Sequence, residues 1–238
     1  MSKKLVWMVS ILLLIVMSSV VIASDDAKEK AKSSIIEDIE RIDLIHYAKS
    51  EQVIKKSVLR TCYDLLGYKW KTREVNYAVN PTNPEGLSED FVMTAVTTAA
   101  EAWDQATPAE LFSDSVIIDY SAQFGVQDFK NSVVFGPYPD NNAIAITSLW
   151  FTRKGKQIVE FDIIFNTKFA WGDASVNPSV MDLQNIAAHE FGHGVGLDDV
   201  YSAECSTATM YGYSWQGDLQ KRILGEPDIA GLLRMYKK

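Results

Sequence analysis

Apolar residues recur along this chain in three rhythms, and each rhythm predicts a different kind of element. The first is a nearly unbroken run from Leu5 to Ile22, interrupted only by Ser10, Ser18 and Ser19, with Lys3 and Lys4 before it and Asp25 and Asp26 after it. That is the layout of a secretory signal peptide, with Val21 and Ala23 small enough for a cleavage site. The run is also nearly long enough to remain as a membrane anchor. In either case the lysines stay inside and the rest of the chain works outside the cytoplasm.

The second rhythm is helical. Residues 24–60 are rich in charge and hold no Gly or Pro, and Ile35, Ile39, Ile42 and Ile45 fall at helical spacing. This predicts a charged amphipathic helix, serving as a stalk or packing element or as a removable pro-segment. His46 lies in it, where a lone histidine reads as an ordinary surface or packing residue. Helical spacing returns after Ser88, from about residue 182 through the segment "NIAAHEFGH", and from Pro227 to Tyr236.

The third rhythm is alternation with β-branching. It predicts strands at 74–80 and near 115–120, 132–135, 143–152 and 157–166. An irregular loop, "FAWGDASVNPSV", follows. Strand, helix, several strands, loop and helix in that order predict an α+β fold. The chain is thus divided into 1–23 as signal or anchor, 24–60 as the helical segment, and 61–238 as one domain.

Composition narrows the partners. The net charge of −8 becomes −10 once residues 1–23 leave, because two lysines and no acid go with them. An acidic surface of this size argues against nucleic acid as a partner. The two cysteines, Cys62 and Cys205, are expected to pair in an exported chain. Two free buried thiols, or Cys62 as a removable metal ligand, are the alternatives.

The candidate chemistry is concentrated in "AAHEFGHGVGLDDV", residues 187–200, which holds two of the three histidines. On a helix, His189 and His193 emerge from one face about 6 Å apart in rise and can share a metal ion. Glu190 is close enough to reach a metal-bound water without itself binding the metal. A catalytic zinc takes three protein ligands. With His46 far away in sequence, the third is a non-histidine: Gly196 can end the helix with positive φ and turn the chain back, presenting Asp199, with Asp198 as competitor. Gly192 and Gly194 cost helix propensity and are expected to allow another segment close to the helix.

"HEFGHGVGLDD" resembles the metzincin zinc endopeptidases, whose helix carries H-E-x-x-H-x-x-G-x-x-H or, in a snapalysin-like minority, a final Asp. "AAHEFGH" and "DIAGLLRMY" are similar to matrixins in particular. The resemblance spans about residues 66–238. It implies a twisted, mainly antiparallel or mixed sheet, an active-site helix, a methionine turn at Met210 and a C-terminal helix. It further implies one catalytic Zn2+ held by His189, His193 and Asp199, Glu190 as general base, and a peptide or protein substrate added along an exposed sheet edge, with "IVEFDIIFNT" the expected strand. Departures are instructive. No P-R-C-G-type cysteine precedes the domain, since Cys62 sits in "LRTCYDLL". In astacin-like relatives a catalytic tyrosine follows the turn methionine by two residues, where this chain has Gly212 between Tyr211 and Tyr213. Calcium is not expected. A two-histidine, one-carboxylate iron site, or a binding module on the same fold, are the competing functions.

Overall fold

A computed structural model describes residues 38–49 and 61–236. The apolar run at 5–22 and the remainder of 24–60 lie outside the described residues.

Each of the five expected stretches contributes a strand to one sheet, but only Ala78–Val79 of 74–80 and Ile117–Ile118 of 115–120 are strand. In chain order its strands are β1 (Ile39–Ala48), β3 (Ala78–Val79), β4 (Ile117–Ile118), β5 (Ser132–Gly136), β6 (Ala143–Thr152), β7 (Gln157–Asn166) and β11 (Tyr213–Ser214). They lie side by side as β11-β1-β6-β7-β5-β3-β4. The sheet is mixed: β3, β4, β5 and β7 run parallel, while the two long ladders, β1 with β6 and β6 with β7, are antiparallel. Two-residue strands β2 (Asp64–Leu65) and β10 (Leu197–Asp198) pair with each other, as do β8 (Trp171–Gly172) and β9 (Met181–Asp182).

Three helices cover one face. The Ser88 hydroxyl caps α1 (Glu89–Gln105) by accepting from the Phe91 amide, and the Asp182 carboxylate caps α2 (Leu183–Gly194) by accepting from Asn185. The third, α3 (Glu226–Met235), begins with Pro227 in its first turn. Between helices and sheet lies an edge-to-face aromatic cluster of Tyr77, Phe112, Phe161 and Phe191, and the Trp103 indole of α1 donates to the Ala188 carbonyl of α2 at 2.8 Å. Among the described residues no helix is long and apolar enough to cross a membrane.

Two expectations are corrected. Residues 39–48 form a strand, β1, instead of part of a helix over 24–60. Ile39, Ile42 and Ile45 do sit three apart, but nine residues of β1, Ile39 to Tyr47, pair along β6, about 100 positions away, and that ladder outweighs local spacing. The "IVEFDIIFNT" strand is no exposed edge either. It is β7, enclosed between β6 and β5, and the strand on its outer side, β6, is itself covered by β1.

Candidate metal centre and active site

Helix α2 runs beneath the sheet with its last turn buried. His189, Glu190 and His193 are wholly buried. Each histidine has its Nδ1 tied to a backbone carbonyl, His189 to Thr209 at 2.8 Å and His193 to Leu197 at 3.0 Å. A carbonyl only accepts, so both rings carry their proton on Nδ1 and aim a bare Nε2 lone pair into the site. Burial and the Lys221 ammonium hold the His189 pKa down at about 3, which keeps that ring neutral.

The chain reverses as the glycine at 196 predicts. Gly196 has φ +104°, and a Cβ there would lie 2.2 Å from the Tyr68 carbonyl oxygen. The turn carries Asp199 back over the histidines. His189 Nε2 and His193 Nε2 are 3.1 Å apart, Asp199 Oδ1 is 3.2 Å from the first and 3.7 Å from the second, and this buried oxygen has no hydrogen-bond partner. Zinc bonds of about 2.0–2.1 Å in tetrahedral array put ligand atoms roughly 3.3–3.4 Å apart, so the three atoms fit such an ion. The other carboxylate oxygen, Oδ2, accepts from the Tyr201 hydroxyl at 2.8 Å, which orients it. Asp198 points elsewhere: its Oδ1 accepts the Asp199 amide, and its backbone pairs with Asp64.

Beneath the site lies a tight turn at 208–211, closed by the Tyr211 amide donating to Ala208. Met210 is fully buried in it, and a Cβ on Gly192 would meet the Met210 sulfur at 2.2 Å, so Gly192 exists for that approach. Gly194 differs, since its nearest neighbour is Phe161 at an ordinary 3.5 Å. The Asp228 carboxylate of α3 accepts the amides of Thr209 and Met210 at 2.7 and 3.0 Å, fixing the carbonyl that orients His189. Cys62 and Cys205 are joined in a disulfide.

Glu190 is held by a residue the sequence did not single out. The Thr147 hydroxyl of β6 donates to Glu190 Oε2 at 2.6 Å, while Oε1 is unpartnered. Burial raises the Glu190 pKa to about 8, against the opposing pull of that hydroxyl. His46 also belongs here, and its reading as an ordinary surface or packing residue is corrected. It is wholly buried, stacks on His189 with ring centroids 3.8 Å apart, and brings Nδ1 to 3.3 Å from Glu190 Oε1. Lys221, likewise buried, donates to His46 Nε2 at 2.8 Å and to the Tyr211 carbonyl. Neither Thr147 nor Lys221 carries a sequence signal, because each acts through a fold contact distant in the chain. Tyr213 is half-buried and meets the rings of Tyr201 and Tyr211 edge-on.

A buried helix whose two histidines and a facing carboxylate could hold a metal ion, set under a mixed sheet with a buried methionine in the turn below, is the arrangement of a zinc-type hydrolase fold. The family model for matrixin matches residues 69–237, and the chain belongs to that family. It is 27% identical over 152 residues to the hatching enzyme of Paracentrotus lividus, covering 63% of this chain and 23% of that protein. It is 27% identical over 179 residues to matrix metalloproteinase-25 of Mus musculus, covering 74% and 28%. It is also 27% identical over 169 residues to human neutrophil collagenase, covering 71% and 33%. The chain therefore spans about a quarter to a third of the length of these relatives.

Proposed function

We propose that the protein is a zinc-dependent endopeptidase, secreted or anchored at the outer face of the cell membrane, whose catalytic domain lies within residues 61–238. The reading rests on one observation: three ligand atoms converge within 3.1–3.7 Å, one of them a buried oxygen with no partner, beside a glutamate that shares their helix. His189, His193 and Asp199 would hold the ion, and zinc supplies Lewis acidity there.

The chain's own groups do the rest. Glu190 Oε1 accepts the proton of the attacking water and delivers it to the leaving amine. Thr147 holds the other oxygen so that Oε1 faces the site. Thr209 and Leu197 keep both histidines in the tautomer that leaves Nε2 free. The presence of Glu190 favours hydrolysis over an iron site, which has no use for a base at that position, and over a binding module. The test is Glu190→Gln in zinc-loaded protein, assayed against a quenched peptide library. Hydrolysis is expected to fall at least about a thousandfold while zinc content stays near one per chain. Loss of zinc in step with activity would reassign Glu190 as a ligand.

A further inference from the structure

The groove beside β6 is already filled by the chain itself. Strand β1 runs antiparallel to β6 from the Ile39–Thr152 pair to the Tyr47–Ala143 pair and parallel to β11 at Tyr47–Tyr213 and Ala48–Ser214. It is therefore an added strand clamped on both sides. Its bonds alternate between the two walls: the Tyr47 amide donates to Gly212, Ala48 to Asn142 and Lys49 to Ser214. Main-chain pairing of this kind is how an extended peptide is held at a sheet edge, with side chains dropping into pockets at alternate positions.

At the point where β1 passes the metal ligands, its side chain enters such a pocket. His46 lies between the His189 ring and Glu190, and Lys221 forms the floor. Lys221 Nζ lies 2.8 Å from His46 Nε2, within reach to donate to it, and the other ring nitrogen, Nδ1, is on the Glu190 side, 3.3 Å from Oε1. Leu44 and Ile45 anchor the strand just before this point, Leu44 buried and Ile45 packed against the cluster of Val134, Ala143, Ile146 and Ile164. With β1 in place, the base and both histidine ligands have no exposure to solvent, which a hydrolytic centre needs.

Resting on the endopeptidase reading, we propose that β1 is a built-in substrate mimic: it holds the groove closed, and His46 occupies a side-chain subsite that selects hydrogen-bond-accepting residues through Lys221. Opening the site requires β1 to leave. Peptides that bind the opened groove carry histidine, or another acceptor of its size, at the position His46 now fills.

Three full-length chains test this: wild type, His46→Ala and Leu44→Asp/His46→Ala. In the double variant, amides of β6 that face β1 should exchange with deuterium at least about tenfold faster than in wild type, with α2 unchanged. A fluorescent peptide of residues 39–49 should bind the double variant and not the wild type, and His46→Ala alone should fall between them. The same peptide with alanine at the His46 position should bind at least about tenfold more weakly, as expected for loss of a buried hydrogen-bonded side chain. With zinc added, the double variant should outpace wild type at least about tenfold, and the peptide should suppress it. Equal peptide binding by wild type and double variant would overturn the proposal, as would equal affinity for the histidine and alanine peptides. If no chain hydrolyses any peptide, the endopeptidase reading fails alone, since exchange and binding still decide what fills the groove.

Discussion

Asp198 and Asp199 are neighbours with different tasks, and the difference arises from where one turn aims each side chain. Asp199 faces two imidazoles and is steadied by Tyr201, whereas Asp198 is spent on its neighbour's amide. Asp199→Ala should weaken zinc binding at least about 10–100-fold, because the loss of even an outer supporting group reaches that size. Asp198→Ala should leave affinity nearly unchanged, and competition with a chelating dye would measure both. The reverse order would shift the ligand by one residue. His189, Glu190, His193 and Gly196 were legible in the sequence because a helix and a turn place them by local geometry. His46 was not, since a single histidine in a charged stretch gives no hint that it will meet a helix more than 140 positions later.

At the scale of elements, propensity and packing pull in opposite directions inside α2. Gly192→Ala improves intrinsic helix propensity by about 1 kcal/mol, yet its Cβ would collide with the Met210 sulfur and the Trp103 ring at 2.6 Å. It should lower the melting temperature. Gly194→Ala meets only ordinary contacts and should leave stability unchanged or raise it. Equal effects would mean that the methionine turn yields freely. Helix α1 supplies a pH dependence. Asp104, at its last turn, accepts the amides of Leu111 and Phe112, but burial dominates and raises its pKa to about 7. Unfolded, it titrates near about 4. Between those values the folded chain keeps a proton the unfolded chain has lost, so this group's stabilising contribution is full below about pH 4 and gone above about 7. Asp104→Asn should therefore gain melting temperature relative to wild type between pH 5 and pH 8, and a constant difference would refute the shift. The strands β6 and β7 were readable to the residue because both are long and rich in β-branched and aromatic residues. Strand β1 was not, because its pairing is non-local and its isoleucines satisfy two rhythms at once.

For the whole molecule, the Cys62–Cys205 bridge closes a loop with a sequence separation of 143, enclosing most of the described domain. Replacing both cysteines by serine should lower the unfolding free energy by up to about 5 kcal/mol in the chain-entropy model, read from denaturant midpoints. No change would refute a net stabilising contribution from the bridge. The place of β1 carries a separate consequence, for solubility. While β1 is bound, the outer border of the sheet over residues 39–46 carries Glu40, Arg41 and Asp43, charges of the kind that keep edges from pairing with other molecules. Beneath it, β6 reads AIAITSLWFT, ten residues without one charge. Once bared, that border would be as ready to pair with a second copy as with a peptide, so the opened protein should stay monomeric only while dilute or while its groove is filled.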